Sequence, residues 1–214
     1  MQHSFWEKRW RQGKIGFHRD AVSPFLKKYI SKIAPTPRRM LVPLCGKSLD
    51  LLHLAELGHH VMGVELSAIA ARDFFEERGL GVTVTREGDF EIYRADDDAL
   101  KLEIYCGDFF DLKAHHLAEV GGVWDRASLV ALPTDLRARY VELLAGCLPV
   151  DAMYLLVAIE YDLPGKSGPP FSLNADILSD LFEGTFSITR LDTEGMNDAD
   201  GSGYLDVPYV LDKL

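Results

Sequence analysis

At 214 residues, with 47% hydrophobic and 26% charged residues, the chain suits one globular domain with a full-sized core. A net charge of −10, with carboxylates spread throughout, repels polyanions and argues against RNA or DNA as a partner. Cys45, Cys106 and Cys147 are unevenly spaced and form no C-x-x-C, which points to a reducing cytoplasm and to no structural zinc or other metal.

Residues 1–20, MQHSFWEKRWRQGKIGFHRD, are charged and aromatic where a secretory leader is basic and then apolar, so no leader is expected. Phe5, Trp6 and Trp10 fall on one helical face, and Gly13 and Gly16 then break the helix. Two readings stand for this segment: a helix packed onto the core, or a cover hinged at the glycines that closes over a ligand. Residues 22–33 read as a helix with Ser23 at its cap and Pro24 in its first turn. Pro35 and Pro37 end it.

The stretch 40–65, MLVPLCGKSLDLLHLAELGHHVMGVE, reads as strand, turn, helix, turn, strand. Leu49, Leu52 and Leu57, with Leu51 and Leu54, supply the apolar helical face, and Gly58 stops the helix. Such a βαβ unit places a small-molecule site at the carboxyl ends of its strands. Gly46 allows close backbone approach, and Glu65, nineteen positions beyond it, has the spacing of an acid that reaches ribose hydroxyls. A dinucleotide site needs G-x-G-x-x-G, and this turn holds only Gly46. Gly46-Lys47-Ser48 looks like the end of a P-loop, but Leu41 stands where that motif needs glycine. The ligand that fits is S-adenosylmethionine, which carries ribose and adenine but no phosphate.

Ser67 is a good N-cap for a helix to about Arg78, and residues 82–85 alternate as a third strand. Residues 89–94 and 100–105 are strand-like and form an antiparallel hairpin across Asp96-Asp97-Asp98. Those three carboxylates lack the alternating spacing of a cation loop and read as a wet turn. Cys106-Gly107-Asp108-Phe109-Phe110 places an acid just after a strand, where a helix N-cap also belongs. Residues 122–125 form the fourth core strand, ending in Trp124-Asp125-Arg126, an Asp-Arg pair that reads equally as structural or functional. Residues 133–146 form an amphipathic helix with Leu136, Tyr140, Leu143 and Leu144 inward. Residues 152–160 are a buried strand, and the apolar run within it is too short to span a bilayer.

The loop 161–173, YDLPGKSGPPFSL, follows that strand at its carboxyl end, where this architecture carries substrate contacts. Pro169, Pro170 and Phe171 offer an apolar wall for a flat aromatic acceptor. Gly165-Lys166-Ser167 lacks the upstream glycine and the strand-to-helix context of a P-loop. Asn174 caps a helix to Glu183, and residues 186–191 and 204–211 form the last strands with polar 192–203 between them. No large amphipathic excess is visible, so a monomer is expected.

VPLCGKS (42–48), GHHVMGVELS (58–67) and WDRASLVALP (124–133) resemble the signature segments of the thiopurine S-methyltransferase family, close to its bacterial branch. The likeness runs from Phe5 to Leu214. It implies an α/β fold, doubly wound, with a mostly parallel seven-stranded Rossmann-like sheet and helices on both faces. An antiparallel last strand, an extra hairpin and an N-terminal helical cover over 1–20 complete that expectation, all within one domain, 1–214. The resemblance also implies the site. Trp10, Leu44, Gly46, Glu65, Asp108, Phe109 and Arg126 match positions that hold S-adenosylmethionine or its product S-adenosylhomocysteine. Asp108 is expected to accept from the adenine amine, and Phe109 to pack on that ring. Phe17 and Arg126 match acceptor-facing positions, beside the wall of Pro169 and Phe171. Arg126 is the catalytic candidate, acting by charge, because guanidinium keeps its proton. Cys45 reads as a small packed residue, not a nucleophile. The expected activity is methyl transfer to the sulfur of thiopurines or similar thiols. Selenium or tellurium acceptors are the alternative within the class, and a nucleotide-binding sensor or NAD-dependent oxidoreductase is the alternative outside it.

Overall fold

Short, nearly continuous apolar strands, buried on both faces, build the centre of the molecule, which a computed structural model describes for residues 3–193 and 203–214. Strand β1 (Arg39–Val42) lies between β2 (His60–Glu65) and β6 (Val120–Arg126), parallel to both. Strand β5 (Leu102–Cys106) continues the parallel set beyond β2, and β7 (Met153–Glu160) continues it beyond β6. On the β7 side, β9 (Leu205–Lys213) enters antiparallel and pairs in turn with β8 (Phe186–Arg190), so the last strand is antiparallel as expected.

The other edge corrects the expected seven-stranded sheet. Strand β3 (Val82–Glu87) pairs antiparallel with β4 (Phe90–Ala95), and β4 pairs antiparallel with β5. The expected hairpin of residues 89–94 with 100–105 is the antiparallel β4–β5 pair, and with β3 outside it the sheet among the described residues has nine strands in the order β3-β4-β5-β2-β1-β6-β7-β9-β8. Residues 82–85, read as a third strand, lie in β3 at the outer edge of the sheet. Thr83, Thr85, Arg86 and Glu87 are exposed, a pattern too polar for a parallel strand covered on both faces.

Helices cover both faces. Helices α2 (Pro24–Ile33), α3 (Leu49–Glu56) and α4 (Ala68–Glu76) bury Phe25, Leu26, Leu51, Leu54, Phe74 and Phe75 on one face. On the other, α5 (Ala114–Leu117), α6 (Thr134–Cys147) and α7 (Ala175–Phe182) bury Leu117, Tyr140, Leu144, Leu178 and Phe182. The inward face of α3 differs from expectation: Leu57 is exposed and Asp50 is buried. On α6, Leu136 and Leu143 are half-buried while Arg137 is buried, donating from Nε to Leu132 O at 2.8 Å. Asn174 caps α7 with its side chain, but Ser23 and Ser67 stand at N-cap positions without a side-chain bond. Among the described residues no helix is long and apolar enough to cross a membrane. Most of the polar connection expected over 192–203 lies outside the described residues, as do residues 1–2 of the expected cover.

Candidate active site

Strand order reverses between β1 and β6, and open α/β sheets bind ligands in the crevice at such a point. Here the carboxyl ends of β1, β2, β5, β6 and β7 line one cavity of about 670 Å³, a size suited to a small-molecule ligand. Helix α1 (His3–Arg11) and residues 16–19 form another of its walls.

After β1 the chain turns sharply, with Leu44 at φ 44° and Gly46 at φ 54°. For Leu44 that conformation is strained, and such strain gathers at ligand sites. At Gly46 a Cβ would lie 3.2 Å from Trp10 Cζ2, so the indole packs directly on the turn. Trp10 is buried, and Phe17 meets it edge-on at 5.6 Å, with Trp6 on its other side at 5.6 Å.

Glu65 ends β2 in the cavity, 6% exposed. Its Oε2 accepts from Gly46 N at 2.9 Å and its Oε1 from Ser67 N at 2.7 Å. Burial pushes its carboxyl up to about 7 against the pull of those amides. The Gly46 amide is thereby committed to the Glu65 carboxyl. A diphosphate needs free amides and positive potential at this turn; hydroxyl donors need what Glu65 offers. The free lone pairs of Glu65 suit the hydroxyls of a ribose diol.

Asp108 follows β5 and does what its position foretold, accepting from Phe110 N at 2.9 Å as the cap of a short 3-10 turn. Its other oxygen lies 2.8 Å from His3 Nε2. Phe109 is buried, stacked on Tyr140 at 4.8 Å, and both Phe109 and Asp108 line the cavity.

Asp125 and Arg126 take different partners. Asp125 accepts from Tyr140 Oη at 2.7 Å and from Tyr154 Oη, while Leu129 N binds its second oxygen at 3.2 Å. Burial pushes its carboxyl up and the hydroxyls hold it back. Arg126 points to the cavity and donates to Phe17 O at 3.2 Å, joining β6 to the N-terminal segment. Burial and then Arg19 lower its pKa, opposed by Asp50 and Asp206. Ala127, at φ 66°, completes the strained rim.

Of the proline wall, Pro169 and Pro170 line the cavity. Phe171 lies outside that lining, with its ring 4.9 Å beneath the Arg137 guanidinium. Burial raises the Cys45 thiol well above its usual range and the Cys106 thiol to about 12, so both stay protonated at neutral pH. Glu87, His115 and His116 bring ligand atoms within 4.8 Å of one another. His116 Nδ1, however, accepts from Lys113 N at 2.9 Å, which leaves the proton on Nε2 of the neutral ring. A metal ion there would have to break that bond.

Several lining residues carried no usable signal in the sequence: Arg19, ion-paired to Asp206 at 3.1 Å, Tyr204 and Arg139. Asp50 was legible in principle, as an acid in the first turn of a leucine-rich helix. It is buried, taking Ser23 N at 2.8 Å and Trp124 Nε1 at 2.9 Å.

Solved structures share this architecture. The 1,6-didemethyltoxoflavin-N1-methyltransferase of Burkholderia thailandensis, determined with its substrate and S-adenosylhomocysteine, aligns at TM-score 0.67 and 15% identity over 99% of this chain and 86% of that one. The glycopeptide N-methyltransferase MtfA, complexed with S-adenosylmethionine, aligns at TM-score 0.62 and 14% identity over 90% and 95%. The fold is thus that of the Rossmann-like S-adenosylmethionine methyltransferases.

Sequence narrows the class. The profile of the family Thiopurine S-methyltransferase (TPMT) matches residues 1–204. Thiopurine S-methyltransferase of Pseudomonas putida strain KT2440 is 46% identical over 185 residues, 86% of this chain and 84% of that protein. That of Pseudomonas syringae pv. tomato strain DC3000 is 42% identical over 192 residues, 89% and 86%. The chain belongs to the thiopurine S-methyltransferase family.

Proposed function

We propose that this chain transfers the methyl group of S-adenosylmethionine to the sulfur of thiopurines or similar aromatic and heterocyclic thiols. The observation that supports the choice of methyl donor is Glu65, a buried acid at the cavity whose two oxygens each accept from a backbone amide, one of them that of Gly46. Family membership carries the choice of acceptor.

When bound, S-adenosylmethionine supplies an electrophilic methyl group on a positively charged sulfur. Glu65 would hold the ribose hydroxyls, Leu44 and Gly46 the backbone beside them, and Asp108 and Phe109 the adenine. Trp10 and Phe17 cover the cavity at the N-terminal segment, where 1–20 acts as the lid, and Pro169 and Pro170 wall its opposite side. Keeping water out favours a step in which an anionic sulfur meets a cation and both charges vanish. Holding the reacting atoms in line contributes up to roughly 7–11 kcal/mol in intramolecular models. Arg126 stabilises the anionic form of the acceptor and takes no proton from it. No protein nucleophile takes part, consistent with the protonated Cys45.

This reading takes the chain as one domain and a cytoplasmic monomer, which light scattering would test. Calorimetry tests the donor: S-adenosylhomocysteine binds, while NAD and ATP do not, and binding of NAD alone would overturn the reading. A labelled methyl-transfer screen across thiopurines, selenite, tellurite, iodide and thiocyanate tests the acceptor. Arg126→Ala is expected to lower thiopurine turnover on the order of 10- to 100-fold, the worth of one charge-assisted contact. A loss of several kcal/mol of stability with turnover per folded molecule unchanged would make Arg126 a structural residue instead.

A further inference from the structure

The turn that carries Gly46 has unusual demands on its backbone. Leu44 and Gly46 both sit at positive φ, so the turn is held by hydrogen bonds from outside it. Cys45 N donates to Val64 O at 2.9 Å, Gly46 N to Glu65, and Ser128 Oγ to Pro43 O at 2.6 Å. The carbonyl of Lys47 is held from a different quarter. Arg78, two residues beyond α4, donates from Nη2 to Lys47 O at 2.8 Å and from Nη1 to Phe74 O, also at 2.8 Å. Its guanidinium lies 4.4 Å over the Phe74 ring. The planar fork thus ties the turn to the end of a helix whose packing is fixed by Phe74 and Phe75, both fully buried.

A second link runs beside the first. Lys47 Nζ pairs with Glu77 Oε1 at 2.5 Å, so consecutive residues 77 and 78 grip the same lysine, one by its side chain and one by its carbonyl. The two grips are not equal: Glu77 is exposed, where an ion pair contributes little, whereas the Arg78 bonds are partly buried. Arg78 does not line the cavity, so its effect on a ligand passes through the turn.

We propose that Arg78 is a positioning residue that holds the Leu44–Ser48 turn in its ligand-ready shape, and so sets the affinity of the site for its adenosyl ligand. The inference rests on the methyl-donor reading given above. Removing the two Nη donors frees the Lys47–Ser48 peptide, and Gly46 just before it tolerates many conformations. The Gly46 amide then no longer presents Glu65 in one place, and affinity falls because the ligand must order the turn as it binds.

The test measures S-adenosylhomocysteine binding by calorimetry on wild type and three folded variants, with thermal melting beside it. Arg78→Met keeps the apolar stem over Phe74 and removes every donor; it is expected to raise Kd about tenfold. Arg78→Lys reaches one carbonyl and is expected to recover part of that loss. Glu77→Gln, which removes only the exposed grip, is expected to stay within about twofold. If wild type binds and Arg78→Met lowers the melting temperature with Kd within twofold, Arg78 is merely a helix-end brace and the inference is wrong. If wild-type protein itself fails to bind S-adenosylhomocysteine, the donor reading fails and takes this inference with it.

Discussion

Glu65 at the end of β2 and Asp125 near the end of β6 are both buried acids on neighbouring parts of one sheet, yet their surroundings give them opposite work. Glu65 meets only backbone amides and borders the cavity, so it keeps the capacity to accept more hydrogen bonds. Asp125 is enclosed by Tyr140, Tyr154 and Leu129 N, away from the cavity lining. Burial pushes both carboxyls up, so the pKa alone does not separate them. What separates them is where the unused lone pairs face. A strand-end acid is a ligand site when its partners are amides of its own turn and its open side is a cavity. It is a structural hub when side chains from other elements close around it.

The contrast is sharpest in stability. Asp125→Ala leaves two buried tyrosine hydroxyls without their acceptor, each at a cost of ~1–3 kcal/mol. We expect a loss of about 3 kcal/mol, read as a fall in Tm of about 6–12 °C. A change under about 2 °C would mean the hub does not hold β6 in place.

Glu65→Ala tests the opposite role. Ligand affinity is expected to fall on the order of 10- to 100-fold for S-adenosylhomocysteine, with the far-UV circular dichroism spectrum unchanged. Unaltered affinity would remove the ribose assignment. Titration separates the two acids further. With its folded pKa near 7 against 4.5, Glu65 contributes stability that is fully present below about 4.5 and lost as pH rises through 7, about 3 kcal/mol in all. Ligand hydroxyls donate to the ionised form, so binding should tighten up to about tenfold from pH 6 to 8. Glu65→Gln should flatten both curves, and a wild-type affinity independent of pH would contradict the diol contact.

The smallest effect is reserved for Tyr140→Phe, which keeps the stack on Phe109 and loses one hydroxyl. About 1 kcal/mol and 2–4 °C of Tm are expected, with ligand affinity within twofold. A tenfold loss of affinity here would tie the Asp125 hub to the ligand wall and blur the comparison.

Much of this site was legible because it is local. The run from Leu44 to Glu65 contains turn, helix and strand in one βαβ unit, so spacing alone brought Gly46 and Glu65 to the same strand ends. Asp108 was legible as a cap for the same reason. The extra hairpin was read with its antiparallel pairing, β4 on β5, but the place of β3 outside it was not. Whether β3 joins the parallel core or lies outside β4 depends on which edge is free, and no short-range pattern records that.

Composition, hydrophobic alternation and the PLCGKS and WDR segments by themselves determined the α/β class, the position of the ligand crevice and the family. The tertiary structure alone decided that Asp125 turns inward to Tyr154 while Arg126 turns outward to Phe17, since adjacent strand residues face opposite sides and only the packed helices say which side is the site. It also decided that Arg78 reaches Lys47, and that the Phe171 ring lies under the Arg137 guanidinium. Those pairings join residues far apart in the chain, and their energies exist only once the sheet has brought them within hydrogen-bond reach.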